Sequence, residues 1–341
     1  MRTTPFALLA SLALALSLAC GEAAAPADPA SGTAPAAVPG SDAAPSAGSA
    51  GAAGANEAFA GAWSLVRIER RDAAGELLAP PTEDRLGYIM YDAAGYMGVA
   101  LMRPGRHPYS EGGPTAEEAL AQMGTYSSYF GRFTVNEAEG YVTHHLEGSL
   151  NPSGAGSDYR RYYTFGENTL VLQPPAGEDG SKSFITWERL PDLPESQLTD
   201  THRRLFGVFR VESVSRRTTD GEEVPVDQYE TAYILYAPSG HMSVHLARPG
   251  RTPYANGRPT AEEALAATLS YGSYFGPYSV NEDEGYLVHH RVGSEDPGGS
   301  GTDAQRFYDL TDTHLTLRPP VRTDDEGREV QSTILWARIS D

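Results

Sequence analysis

Residues 88–101 read Tyr-Ile-Met-Tyr-Asp-Ala-Ala-Gly-Tyr-Met-Gly-Val-Ala-Leu, and residues 233–246 read Tyr-Ile-Leu-Tyr-Ala-Pro-Ser-Gly-His-Met-Ser-Val-His-Leu. Both have an aromatic and branched run, a short turn ending in glycine, and a second apolar run, which is the pattern of a β-hairpin. Worked outward, the correspondence carries 87–175 onto 232–320 at a constant offset (233 − 88 = 145), with roughly half of the positions identical. Arg-Pro-Gly-Arg stands at 103–106 and 248–251, Pro-Thr-Ala-Glu-Glu-Ala-Leu-Ala at 114–121 and 259–266, and Ser-Tyr-Phe-Gly at 128–131 and 273–276. The offset becomes 146 where Gly61 meets Gly207 and 149 where Trp187 meets Trp336, which places small insertions in loops. Solenoid repeats run roughly 20–50 residues, so a period this long is a duplicated domain.

Within each copy the strand signals are dense. Residues 63–68 alternate, residues 72–76 supply a turn through Gly75, and further short runs lie at 133–136, 141–147, 159–165, 170–172 and 184–190. One segment differs. Residues 115–129 predict a helix, opened by Pro114 and a Thr115 cap, with Glu117 and Glu118 in its first turn. Tyr126, Tyr129 and Phe130, with Tyr271, Tyr274 and Phe275 in the second copy, would form that helix's core face. Each copy is thus all-β in class, about eight or nine antiparallel strands with one helix. An up-and-down barrel that closes its own edges is the economical solution, and a flat sandwich is the alternative.

The chain's formal charge is −19, from 26 basic and 45 acidic residues, and both copies are acidic. No basic stripe exists to release phosphate counterions, so nucleic acid is not an expected partner. A single cysteine excludes a disulfide scaffold and a cysteine-based zinc site. No cofactor is expected: phosphate-loop, dinucleotide, nucleophile-elbow and zinc-protease motifs are all missing.

That cysteine, Cys20, follows Arg2 and an apolar run over 6–19, too short to span a bilayer comfortably and suited to a signal-peptide core. Residues 16–21, Leu-Ser-Leu-Ala-Cys-Gly, resemble a bacterial lipoprotein lipobox, with Ser17 where leucine is usual. The resemblance implies cleavage before Cys20, lipid on its sulfur and a cell-envelope location; Gly21, with no aspartate there, resembles the outer-membrane-sorted class if the host is Gram-negative. Residues 20–58, almost wholly Ala, Pro, Gly and Ser, read as a disordered tether, reaching roughly 35 Å at 5–6 Å × √n. The expected organisation is a leader at 1–19, the tether at 20–58, domain 1 at 59–190, a linker at 191–201 and domain 2 at 202–341.

Each copy resembles the bacterial lipocalin-like domain family. The likeness rests on Gly-x-Trp-x-Leu-Val at 61–66, Tyr-Asp-x-x-Gly-x-Met at 91–97, the Arg-Pro loop, Tyr-Phe-Gly before a strand, His-His-x-x-Gly-Ser at 144–149 and Trp-x-Arg at 187–189. The second copy departs at Phe209, Ala237 and Ala337. The resemblance implies two tandem calyx barrels covering nearly all of 59–341. It does not imply an activity.

Candidate site residues follow from strand alternation. His144 and His145, like His289 and His290, point to opposite faces and cannot share a metal ion, so no metal site is expected. In the first copy Val142, His144 and Leu146 share a face, which turns His144 inward. In the second, Arg291 shares the face of Leu287 and His289, while Val288 and Val292 lie opposite, so the copies disagree. Each histidine is either a buried framework group or a ligand or acid–base group. Arg161 with Tyr163, and Arg306 with Tyr308, place a guanidinium and a phenol on one face of a strand, a donor set for a carboxylate if that face is interior, or a solvated or ion-paired surface pair if not. Their spacing is similar to the carboxylate-gripping pair of fatty-acid-binding proteins, about two strands earlier. Arg103 and Arg248 open loops that are either anion-attracting mouths or structural turns; Arg70 and Arg216 read as surface arginines. The expected function is that of an envelope lipoprotein, held to the membrane through Cys20, binding or carrying a small apolar or amphipathic ligand that can bear a carboxylate. Alternatives are a barrel-cavity isomerase or cyclase using His, Tyr and Arg, and a structural pair of filled barrels.

Overall fold

Strand alternation resolves into two closed antiparallel barrels, one per copy. The computed structural model describes residues 49–340, with side chains from residue 54. The apolar leader, Cys20 and the first part of the tether lie outside the described residues. Barrel 1 runs β1 (Gly61–Arg71), β2 (Leu86–Tyr91), β3 (Tyr96–Met102), β4 (Tyr126–Asn136), β5 (Tyr141–Ser149), β6 (Asp158–Phe165), β7 (Thr169–Gln173) and β8 (Lys182–Arg189), each paired with the next and β8 with β1. Barrel 2 repeats this with β9 (Gly207–Thr218), β10 (Thr231–Tyr236), β11 (His241–Ala247), β12 (Tyr271–Asn281), β13 (Tyr286–Arg291), β15 (Thr302–Leu310), β16 (His314–Arg318) and β18 (Glu329–Arg338). Two short strands, β14 (Gly293–Ser294) and β17 (Arg322–Thr323), pair with β12 and β18. The glycine of each Ser-Tyr-Phe-Gly motif sits where the barrel wall bends: a Cβ on Gly131 would lie 2.1 Å from the His145 carbonyl oxygen, and one on Gly276 1.8 Å from that of His290. No other residue fits there.

One end of each barrel is plugged by a helix leading into its first strand. Helix α1 (Ser49–Phe59) delivers Phe59, whose ring packs 5.2 Å from Tyr91, 6.0 Å from Phe133 and 5.0 Å from both Tyr163 and Phe165. The Trp63 indole donates to the Phe59 carbonyl at 2.8 Å, and Arg189, 4.1 Å over the Trp63 ring, donates to the Ala58 carbonyl at 2.8 Å and to that of Ala60. These bonds satisfy helix-end carbonyls that have no intrahelical partner. Helix α3 (Asp200–Leu205) does the same for barrel 2, burying Leu205, with Arg338 over Phe209 and donating to the carbonyls of Phe206 and Arg204. The Gly-x-Trp and Trp-x-Arg motifs are therefore a plug and its latch. Helix α1 begins inside the segment expected to be disordered tether, because Phe59 brings enough apolar surface to fix it. Each copy also has two helices where the sequence suggested one.

The second helix of each copy is shorter than expected. Helix α2 (Ala116–Met123) has the predicted Thr115 cap, closed into a capping box by Glu118, but stops at Gly124, and β4 starts two residues later; α4 (Ala261–Leu269) likewise precedes β12. Tyr126, Tyr129 and Phe130 are consequently strand residues, and so are Tyr271, Tyr274 and Phe275. Alternation sends Tyr126 and Phe130 out of barrel 1 and Tyr129 into it.

Out, here, means into the other barrel. Tyr126, Phe130, Met90 and Leu150 form one apolar cluster with Tyr233, Leu235, Tyr271 and Phe275. The contact is reciprocal. Tyr126 bonds the Ser273 hydroxyl at 2.7 Å, as Tyr271 bonds that of Ser128 at 2.9 Å. Arg106, over the Tyr126 ring, donates to the carbonyls of Ser294 and Glu295, while Arg251, over the Tyr271 ring, donates to those of Ser149 and Leu150. The second arginine of each Arg-Pro-Gly-Arg loop is thus a cross-barrel clamp. The side chains are not all symmetric: His245, fully buried and bonded to Ser128 at 2.9 Å, stands where barrel 1 has Ala100. Its ring occupies the space a side chain at Gly98 would need, 2.5 Å from that Cβ position.

Gly98→Ala is therefore expected to destabilise the chain by about 1–3 kcal/mol through overpacking, read from urea denaturation. The same substitution made in a His245→Ala background should cost much less. An equal cost in both backgrounds would place the strain elsewhere.

Candidate functional site

The inward-facing histidine is the same in both copies. His144 and His289 have no solvent exposure. His144 is bonded through Nε2 to the Tyr91 hydroxyl at 2.8 Å and through Nδ1 to that of Tyr129 at 3.0 Å; His289 is bonded to Tyr236 at 2.8 Å and Tyr274 at 2.9 Å. His145 and His290 point outward, onto Asp158 at 2.7 Å and Asp303 at 2.8 Å, with Thr134 and Ser279 on their other nitrogens. They are not part of an interior site. Burial holds His144 and His289 well below the ordinary imidazole range, with Arg161 and Arg306 adding to the shift, and pushes Tyr91 and Tyr236 well up. Each imidazole is neutral, with one donor and one acceptor nitrogen.

That neutrality fixes the proton order. Tyr236 lies on the plugged, apolar side, and its only hydroxyl partner among the described residues is His289. Accepting from His289 would leave its own hydrogen buried and unbonded, at a cost of about 1–3 kcal/mol. Tyr236 therefore donates to Nε2, Nδ1–H donates to Tyr274, and the Tyr274 hydrogen is left for the open half of the barrel.

Arg161 and Arg306 face that same half. Along β6 the partly buried residues are Tyr159, Arg161 and Tyr163, and their neighbours are exposed. Arg161 is within electrostatic reach of His144 and Tyr91, and Arg306 of His289, Tyr236 and Tyr229. Each guanidinium makes one hydrogen bond, at 2.8 Å, to the carbonyl of the preceding residue. Among the described residues neither forms an ion pair. The tyrosines expected beside them are engaged at the plug. Tyr163 packs on Phe59, and Tyr308 bonds Thr201 of the plug helix α3 at 3.2 Å. The Arg–Tyr pair is split, with the arginine toward the opening and the tyrosine sealing the floor.

Above this level the barrels are open. Ile68, Leu101, Tyr129 and Ile185 point inward in barrel 1 yet are only partly buried, as are Leu246, Tyr274 and Ile334 in barrel 2. At the mouth of barrel 2 lies a cavity of about 420 Å³ walled by Arg216, Arg248, Tyr229, Val214, Ser332 and Ile334, among others. Arg216, which reads in sequence as a surface residue, is in this wall and donates to Ser332 at 3.3 Å; Arg248 is paired with Asp227. Among the described residues no group of three or more His, Cys, Asp or Glu could hold a metal ion, and no helix is long and apolar enough to cross a membrane.

A plugged floor, an open top and eight strands in chain order, twice over, match a known pattern. The model of the lipocalin-like domain fits residues 60–190 and again residues 206–339. The chain belongs to the lipocalin-like domain family. Among curated proteins none matches it. Among solved structures it is similar to a protein of unknown function from Nostoc punctiforme, at 12% identity with a TM-score of 0.23, covering 83% of this chain and 98% of that one. It is also similar to an uncharacterized protein from Saccharomyces cerevisiae, at 9% identity with a TM-score of 0.38, covering 82% of this chain and 98% of that one.

In these lipocalin-like barrels sequence reasoning missed the tyrosines that hold the histidines. A signal was available: both copies separate the two partners by the same intervals, 53 residues for Tyr91–His144 and Tyr236–His289, and 15 for Tyr129–His144 and Tyr274–His289. Only assigning residues 126–130 to a helix hid it.

The buried imidazoles give the lipocalin-like chain a pH signature. Below about 6.5 the unfolded chain protonates these histidines and the folded chain does not, so each one withdraws up to about 1.4 kcal/mol of stability per pH unit as pH falls. His245, held down to about 3 by burial, acts in the same direction; Glu295, pushed up to about 8 by burial, acts in the opposite one. Denaturation midpoints between pH 7.5 and 5.5 should therefore fall less steeply in the His144→Gln, His289→Gln double variant than in the parent. Equal slopes would mean that the two histidines titrate normally in the fold.

Proposed function

We propose that this lipocalin-like chain binds or carries a small, mostly apolar ligand bearing a carboxylate, held in the open halves of its barrels. The observation that carries this reading is the pair of inward-facing guanidiniums, Arg161 and Arg306, each without an acidic partner among the described residues. A guanidinium inside a barrel is costly unless paired, and a ligand carboxylate is the group whose two oxygens match its fork of donors. In barrel 2 the hydroxyl hydrogen left over on Tyr274 supplies another donor. Apolar side chains above and beside these groups suit the rest of the ligand.

Catalysis by the histidines has less support. Both nitrogens of His144 and of His289 are taken up by tyrosines, and the plugged half around them is packed with aromatic side chains. They act as framework that aims Tyr129 and Tyr274.

The sequence before the barrels gives the address. We infer that the chain is a lipoprotein of the bacterial cell envelope, cleaved before Cys20 and lipidated there. Cys20→Ser should then release the protein from the membrane fraction, and the parent's mature mass should exceed that of the bare polypeptide beginning at Cys20. A parent mass equal to the bare chain refutes the anchor.

Native mass spectrometry of the purified protein should find a co-purifying carboxylate of lipid-like size. Replacing Arg161 and Arg306 together by alanine should weaken its binding by about 2–5 kcal/mol per truncated buried pair, with the fold intact by circular dichroism. Arg160→Ala, on the outward face over Tyr141, should change little. Undiminished affinity in the folded double variant would make the two arginines structural.

A further inference from the structure

The two mouths are lined differently, and the hydrogen-bond register makes the comparison residue by residue. Leu86 pairs with Met102 as Thr231 pairs with Ala247, so Arg85 and Arg103 are the structural equivalents of Glu230 and Arg248. Arg71 bridges Leu77 as Arg217 bridges Glu223, and the amides of Leu78 and Val224 donate to the carbonyls of Arg70 and Arg216. At matched positions, then, barrel 1 has Leu77, Leu78, Arg85, Leu86 and Arg103, where barrel 2 has Glu223, Val224, Glu230, Thr231 and Arg248.

Arg85 and Arg103 directly follow the last pair of the β2–β3 ladder, Leu86 with Met102, and lie within electrostatic reach of each other; carried one step past that pair, the alternation that turns Ile89 and Val99 inward turns both toward the opening. They therefore stand side by side at the opening of barrel 1. Among the described residues neither forms an ion pair, and the Nε of Arg103 is buried with no hydrogen-bond partner. Asp84 is within electrostatic reach of Arg85, and Glu83 beside it is exposed. In barrel 2 the equivalent arginine is neutralised by Asp227 with Glu230 as its neighbour. The loop over this mouth is also apolar: Leu77 and Leu78 are 48% and 51% exposed, whereas Val224, the counterpart of Leu78, is buried. Two like charges next to each other, one with an unanswered buried N–H, are held together at a cost that an anion removes.

We propose that the mouth of barrel 1, and not that of barrel 2, holds a free single-chain anionic amphiphile at a site of its own above the level of Arg161, its head group on Arg85 and Arg103 and its chain against Leu77 and Leu78. This rests on the ligand-binding reading above, whose carboxylate lies deeper, on Arg161 and Arg306, and adds a second anion-holding level at one mouth. The ligand is a monomer from solution. A membrane surface would meet the same leucines, but only a small head group reaches between two arginines that face into the barrel.

The test uses the full chain carrying Cys20→Ser, free of detergent, with dodecanoate and dodecan-1-ol as probes in isothermal titration calorimetry. The tighter dodecanoate site of the parent should weaken about tenfold or more in the Arg85→Glu, Arg103→Gln variant, while the weaker dodecanol binding is unchanged. Arg248→Gln should leave that tighter site as it is. Converting barrel 2 instead, with Glu230→Arg and Asp227→Asn, should add a second tight dodecanoate, a gain that does not depend on barrel 1 tolerating its own changes. Unchanged dodecanoate affinity in the folded barrel 1 variant, or loss in Arg248→Gln, overturns the assignment of the mouth and leaves ligand binding standing. Failure of the parent to bind either probe overturns both. Arginine-dependent sedimentation with anionic phosphatidylglycerol vesicles, without dodecanoate binding, overturns this proposal in favour of membrane docking.

Discussion

The plug decides what each barrel can be. An eight-stranded barrel has an interior just wide enough for its own side chains, and a tube open at both ends would wet all of them. Phe59 and Leu205, latched by Arg189 and Arg338, close one end, and the aromatic residues packed on them make that half dry. Dryness keeps His144 and His289 neutral, and in barrel 2 neutrality sets the order of protons through the tyrosines and leaves the Tyr274 hydroxyl facing the wet half. The inward arginines are tolerable only because they stand above this boundary. Breaking the latch would therefore change the site's protonation before it changed the strand order.

Much of the architecture is legible in the chain because period-two patterning and a long repeat are local signals. The duplication, the antiparallel order and the Thr115 cap of α2 all follow from spacing, whereas spacing put Arg161 and Arg306 on one face with their tyrosines without saying which side of the barrel that face is. What misleads is the second buried surface. Alternation is informative when one face meets water; here β3, β4, β11 and β12 are buried on both faces, inside their own barrel and against the other. Tyr126 and Phe130 are apolar because of the partner barrel, and with Tyr129 between them they imitate a helical stripe. Val292 packs into the same inter-barrel cluster, which is why the apolar residues around His289 pointed both ways.

The site was legible in its parts and not in its assembly. Arg161, Arg306, His144 and His289 could be picked out because they recur, but their partners lie far along the chain. Tyr91 reaches His144 across 53 residues, and Phe59 reaches Tyr163 from the segment before the first strand. Arg216 looked superficial because a bulge in β1, matched in the β9–β18 pairing, shifts the phase of the alternation midway. Phase shifts of this kind are invisible to residue counting and change which side chains line a cavity.

The reciprocal arginine clamp bears on how such a molecule diversifies. Arg106 on the Ser294 and Glu295 carbonyls and Arg251 on those of Ser149 and Leu150 are the two halves of an isologous contact, the geometry of a symmetric homodimer written into one chain. In a homodimer every substitution appears twice across the axis, so a bulky residue near the axis meets its own copy. Within a single polypeptide it appears once. His245 can fill the space over Gly98 because Ala100, its counterpart, stays small. Fusion thus releases each half from the obligation to match its twin, and a tandem chain can specialise one half while the other preserves the contact that both need.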